Sequence, residues 1–172
     1  MAIETISPLT LIATDGTVKN FSGGSPAIQD LRDSNASTGI NIVSSNGNFS
    51  FIFGVGTDLN FLSEDCTFKY QLELLGGGTK STVTVSIPEL SITVATFAGA
   101  ASAGTIIEHT LPPGINPSVI VNNNSNAGSF RITDSTGNTK ISEVSMLINR
   151  PDAGKIQLTS GKIQLTSGKI TL

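Results

Sequence analysis

The sequence predicts an all-β protein, an antiparallel β-sandwich or jelly roll that ends in a C-terminal meander of short strands. Three observations lead there. Apolar residues recur at spacing two rather than at a helical period, in short runs. Those runs are cut by Gly, Asn, Asp, Ser and Pro, residues that turn a chain or tolerate positive φ. The composition agrees: 21 Ser, 20 Thr, 13 Asn and 18 Gly make up 72 of the 172 residues. With only 13% charged residues and a net charge of −3, the chain is too apolar and too weakly charged for disorder. The acidic balance also has the wrong sign for a nucleic-acid binder.

The pattern places strands at Leu9 to Thr14, Gly39 to Val43, Phe49 to Phe53, Thr67 to Leu75, Thr82 to Ile87 and Ser91 to Thr96. Further strands follow at Thr105 to Thr110, Ser118 to Val121, Ser129 to Thr133 and Lys140 to Leu147. Turns are expected at Asp15-Gly16, Asn46-Gly47-Asn48, Gly76-Gly77-Gly78, Asn122 to Gly128 and Ser135 to Asn138. Pro26 to Asp33 fits one helical turn, with Ser25 as N-cap and Pro26 in the first helical position. Leu90 to Ile107 lacks charge but carries Ser91, Thr93, Thr96, Ser102, Thr105 and two glycines. Two strands joined by the small-residue turn Ala98 to Gly104 fit it better than a membrane span. Residues 1–88 form a β-sandwich domain. Residues 89–153 form a second β region, either separate or part of the same sandwich. Residues 154–172 form a repeat tail.

That tail reads Gly-Lys-Ile-Gln-Leu-Thr-Ser twice, then Gly168-Lys-Ile-Thr-Leu172. Its apolar positions alternate in spacing between two and five, so a coiled coil is excluded, since that needs three and four. A hairpin through Ser160-Gly161 places Thr159 opposite Lys162, Leu158 opposite Ile163 and Ile156 opposite Leu165. The next turn pairs Leu165 with Ile170. Ile156, Leu158, Ile163, Leu165, Ile170 and Leu172 then share one face, which must be covered by the main domain or by another chain. The tail has three Lys and no acid, against a net −6 for residues 1–153. This charge asymmetry favours docking to the body or to a neighbouring copy.

No motif identifies a reaction. Cys66 is the only cysteine and His109 the only histidine, which excludes an intrachain disulfide and a cysteine zinc site; Cys66 reads as a small buried strand residue. Gly76 to Thr82 lacks the spacing and the following helix of a phosphate loop. Ala100 to Gly104 lacks the first glycine of a nucleophile elbow around Ser102. Acid–base work would fall on Glu64-Asp65, Asp30 and Asp33, or Glu108. Asn122 to Asn126 has no carboxylate to help its carbonyls hold Ca²⁺. The sequons at Asn20, Asn35, Asn48 and Asn123 follow from the abundance of Asn, Ser and Thr. The start of the sequence has no secretory-signal pattern. With no Trp and one Tyr, Tyr70, the chain lacks the flat aromatic platform of many saccharide sites. No catalytic residue, metal or cofactor is assigned.

The Ser/Thr/Asn/Gly-rich β composition, the loops Thr14-Asp15-Gly16-Thr17 and Asp134 to Asn138, and the glycine-punctuated C-terminal repeat together resemble phage virion accessory proteins: capsid decoration proteins, head fibres and tail-associated β-proteins. The resemblance implies a non-enzymatic structural protein of the virion, made in the host cytoplasm. It would form a homo-oligomer, a trimer in particular, and dock on capsid or tail proteins, with no nucleic-acid or membrane partner. The six apolar tail residues would form its assembly interface. The alternative is an adhesin-like or carbohydrate-binding β-sandwich module. A third class, a small β-fold enzyme acting on polysaccharide, predicts paired carboxylates in a groove.

Overall fold

In a computed structural model, residues 2–53, 66–76, 80–112, 129–150, 156–159 and 162–165 are described. The strands are β1 (Ala2–Ile6), β2 (Pro8–Thr14), β3 (Val18–Asn20), β4 (Ile40–Ile42), β5 (Gly47–Phe53), β6 (Cys66–Leu74) and β7 (Ser81–Ile87). They continue with β8 (Ile92–Gly99), β9 (Thr105–Thr110), β10 (Phe130–Asp134), β11 (Thr139–Arg150), β12 (Ile156–Thr159) and β13 (Lys162–Leu165). Two antiparallel sheets form a β-sandwich. The first runs β3-β4-β11-β6-β9, with β1 also paired to β11; the second runs β2-β5-β10-β7-β8. Strands from either side of Pro88 are intermixed in both sheets.

Strict alternation builds the core. In β7, Ser81, Val83, Val85 and Ile87 point inward, while Thr82, Thr84 and Ser86 point outward. In β6, Cys66, Phe68, Tyr70 and Leu72 are buried in the same way. Phe49, Phe51, Phe53 and Phe130 of the second sheet meet Phe68 and Tyr70 of the first. The Phe68 and Phe130 rings stack across the sandwich at 5.2 Å with 4° between their planes, and Phe53 packs edge-on to both.

The structure adds β1 and β3, which the sequence pattern had left unassigned. β3 has only three residues, too short to show a period. The short helical element is a 3-10 turn at Ile28–Leu31, two residues later than expected. Its N-cap is Ala27 rather than Ser25, because the Asp30 carboxylate reaches back to the Ala27 N–H at 2.7 Å. β5 starts at Gly47, so the expected turn shrinks to end on Asn46, which takes φ 62°. Ser91 caps a 3-10 turn at Pro88–Leu90 with φ 54°, so β8 starts one residue late and runs on to Gly99. The stretch from Leu90 to Ile107 forms β8, in the second sheet, and the first half of β9, in the first; their connection crosses between sheets. No helix among the described residues is long and apolar enough to cross a membrane. The expected strand at 118–121 lies outside the described residues.

In the tail, β12 and β13 pair antiparallel with Ile156 opposite Leu165, Leu158 opposite Ile163 and Thr159 opposite Lys162. This is the register that the repeat and a two-residue turn dictate. Positions 170 and 172 lie outside the described residues.

Candidate functional site

Alternation that buries valines on β7 leaves the outer face of the second sheet to short polar side chains. Two adjacent rows cross the sheet, one over four strands and one over five. In one, Thr96 of β8 faces Thr84 of β7, Thr84 faces Thr133 of β10, and Thr133 faces Asn48 of β5. In the other, Thr93 faces Ser86, Ser86 faces Arg131, Arg131 faces Ser50, and Ser50 faces Ala13 of β2. Neighbouring strands stand about 4.8 Å apart and successive rows about 7 Å apart, so the face is a lattice of hydroxyl and amide groups. The Thr84 and Thr96 hydroxyls lie 3.3 Å apart. Arg131 is exposed, and its Nε donates to Ser50 Oγ at 3.3 Å, which lays the guanidinium over the buried Ser50.

One end of these rows is fixed by two Asp-x-Thr turns. Asp15 accepts from Thr17 N and Oγ1 and, across the strands, from the Asn48 backbone N–H and its side-chain amide. Burial pushes the Asp15 carboxyl up, but these donors outweigh it and hold it below the usual carboxylate value. Asp134, fully buried, accepts from Thr136 N, Thr136 Oγ1 and Thr139 Oγ1. Gly137 takes φ 76°, and a Cβ there would meet the Ser44 carbonyl carbon at 2.6 Å, so only glycine closes the second turn. Both carboxylates are thus consumed by loop architecture. The far end is tied by Ser129 Oγ donating to Glu89.

The other sequence candidates do not converge. Cys66 is fully buried in the core. His109 Nε2 lies 3.4 Å from the Tyr70 hydroxyl; burial lowers the imidazole pKa and pushes the Tyr70 phenol up. Ser102 lies in a turn between two strands, and β7 follows Gly76 to Lys80 where a phosphate loop needs a helix. Asp30 is spent on its cap and Glu108 pairs with Lys69 at 3.2 Å. Asp33 accepts from Asn35 N and Thr38 Oγ1. Glu64-Asp65 and the loop Asn122 to Asn126 lie outside the described residues, as do side chains of all six tail candidates. Among the described residues no three His, Cys, Asp or Glu side chains cluster for a metal. The sequon asparagines Asn20, Asn35 and Asn48 hold their own loops through side-chain bonds.

Sequence reasoning missed two residues here. Arg131 escaped notice because a lone cation in a strand carries no motif. Glu143 sits at a β-bulge in β11 with φ 49°, beside Asp33. Burial, then the Asp33 carboxylate, pushes the Glu143 carboxyl up despite a backbone bond from Asn35. Two carboxyls in direct contact leave no room for a glycosidic bond between them.

No family model and no curated protein sequence matches the chain. Among solved structures it is similar to a truncated AlyQ with CBM32 and alginate lyase domains, at 17% identity and TM-score 0.51. That match covers 91% of this chain but 36% of the other. It is also similar to the C-terminal CBM6 of LamC, a laminarinase of Zobellia galactanivorans, at 8% identity and TM-score 0.49, covering 86% of this chain and 99% of that one. A third is the carbohydrate-binding module CBM6cm-2 of Cellvibrio mixtus lichenase 5A, solved with cellotriose, at 18% identity and TM-score 0.49, covering 88% and 100%. At these identities the likeness concerns the fold.

Proposed function

We propose that the chain is a non-catalytic β-sandwich binding module that takes a glycan on the outer face of its second sheet. The observation that carries this is the pair of hydroxyl and amide rows from Thr93 and Thr96 across to Ser50 and Asn48. Hydroxyls both donate and accept, as a polyhydroxylated ligand does, and the flat face has room for a chain of sugars. The fold likeness to a polypeptide bearing a CBM32 domain is in keeping with this use. Tyr70 is buried, so binding rests on hydrogen bonds rather than on a tyrosine platform, and each contact is weak.

The test is affinity electrophoresis of the full chain through gels holding neutral and acidic polysaccharides. The double variant Thr84→Val, Thr133→Val keeps the β-branched shape and removes two hydroxyls. Retardation that disappears in the variant, at an unchanged melting temperature, supports the reading. Unaltered retardation places the ligand elsewhere and overturns it.

A second reading rests on the tail: a structural protein, as in virions, that assembles into a homo-oligomer through positions 156, 158, 163, 165, 170 and 172. The pairing of β12 with β13 in the expected register favours it. The two readings are compatible, because an oligomer of weak glycan sites gains avidity.

A further inference from the structure

We infer that the outer face of the second sheet selects a carboxylate-bearing glycan, a polyuronate, with Arg131 as its anion anchor; this rests on the glycan-binding reading above. Thr93, Ser86 and Ser50 share its row, and Thr96, Thr84, Thr133 and Asn48 form the next, all of them neutral; on the other side Ser129, two residues from Arg131, holds the Glu89 carboxylate. A carboxylate directly across the ladder would stabilise an exposed strand arginine. Here its cross-strand partners on both sides are serines. The carboxylates that border the face are engaged elsewhere, Asp15 and Asp134 in their own turns and Glu89 by the Ser129 hydroxyl. Ser50 Oγ engages Nε. The bond from Nε orients the planar group and leaves the terminal Nη nitrogens for a bidentate carboxylate.

The hydroxyls beside it supply the rest of the recognition. Thr84 and Thr133 stand one row away along adjacent strands, Thr133 two residues from Arg131 on β10. A carboxylate on Arg131 therefore brings the neighbouring sugar hydroxyls over these threonines. The body of the chain is acidic, so it repels polyanions at long range. Selection for a uronate must come from the local contact and not from the overall field.

The experiment compares polygalacturonate with its fully methyl-esterified form, which keeps the backbone and removes the charge. A neutral β-glucan serves as a third probe. Wild type, Arg131→Gln and Arg131→Lys, all as full chain, are measured by calorimetry at low and high salt. The expected result is tighter binding to the charged polymer, weakened by salt. Arg131→Gln should cut affinity about tenfold and Arg131→Lys should restore part of it, as for one charge-assisted contact. Binding to the esterified polymer should fall far less than binding to the charged one. Equal affinity for both galacturonans, with no effect of Arg131→Gln, overturns the anchor and leaves the glycan-binding reading standing. No binding to any of the three polymers overturns both.

Discussion

At the scale of single residues, Glu143 is the position where the local rules are broken. It takes φ 49° where an L-residue ordinarily avoids positive φ, and its Oε1 is buried with no hydrogen-bond partner. The bulge between Ser142 and Ser145 explains the conformation. The Asp33 carboxylate beside it makes ionisation costly. Its carboxyl is raised above the ordinary value near 4.5, so its contribution to stability is fully present below that value and is lost as pH rises through the raised one. Glu143→Gln should therefore raise the melting temperature at pH 7 and leave it nearly unchanged at pH 4, read by thermal denaturation at both. Asp15 works in the opposite sense: its lowered pKa adds stability above the ordinary value near 3.8, which is lost as pH falls through the lowered one. Nothing in the sequence marks Glu143, since a bulge and a neighbour as distant in the chain as Asp33 leave no local pattern.

Elements were legible where their period was long enough to read. β6 and β7 alternate over their whole length, and the sequence places both within a residue of their observed bounds. β1 shows no alternation to read, since its apolar residues Ala2, Ile3 and Ile6 are spaced one and three apart; pairing to β11 defines it. The Pro26 turn shifted because a carboxylate three residues on outcompeted a serine hydroxyl for the backbone. The tail was readable in register, since a seven-residue repeat with a two-residue turn permits one pairing that keeps Ile and Leu together. A ribbon with one apolar side needs cover. Replacing Leu158 and Leu165 with Lys in the full chain should convert a defined oligomer into a folded monomer, measured by light scattering. An unchanged mass overturns assembly through the tail.

For the whole molecule, the two sheets are joined chiefly by aromatic rings. Phe51, Phe53 and Phe130 from one sheet surround Phe68 of the other, with centroid distances from 5.2 to 6.3 Å. Phe68→Ala should cost about 3–5 kcal/mol, the range for truncating a buried phenylalanine, as seen by urea denaturation. A Phe68→Leu variant should recover most of that loss. The sandwich class follows from alternation and composition. The strand order could not be read, because long-range pairings such as β5 with β10 depend on which apolar faces meet in space. The candidate face stayed hidden for the same reason: its residues come from Asn48, Thr84, Thr96 and Thr133, and only the sheet assembles them.

The alternation along β7 has a consequence for how such a protein can change over time. Inward valines fix the architecture, and the outward threonines and serine contribute little to it. Exchanges at solvent-facing strand positions usually alter stability by about 0.5 kcal/mol or less. Lineages are thus free to rewrite the outer lattice one position at a time, trading one ligand for another on an unaltered scaffold. The same freedom makes Thr84, Ser86, Thr93, Thr96, Arg131 and Thr133 a natural set to randomise in a display library.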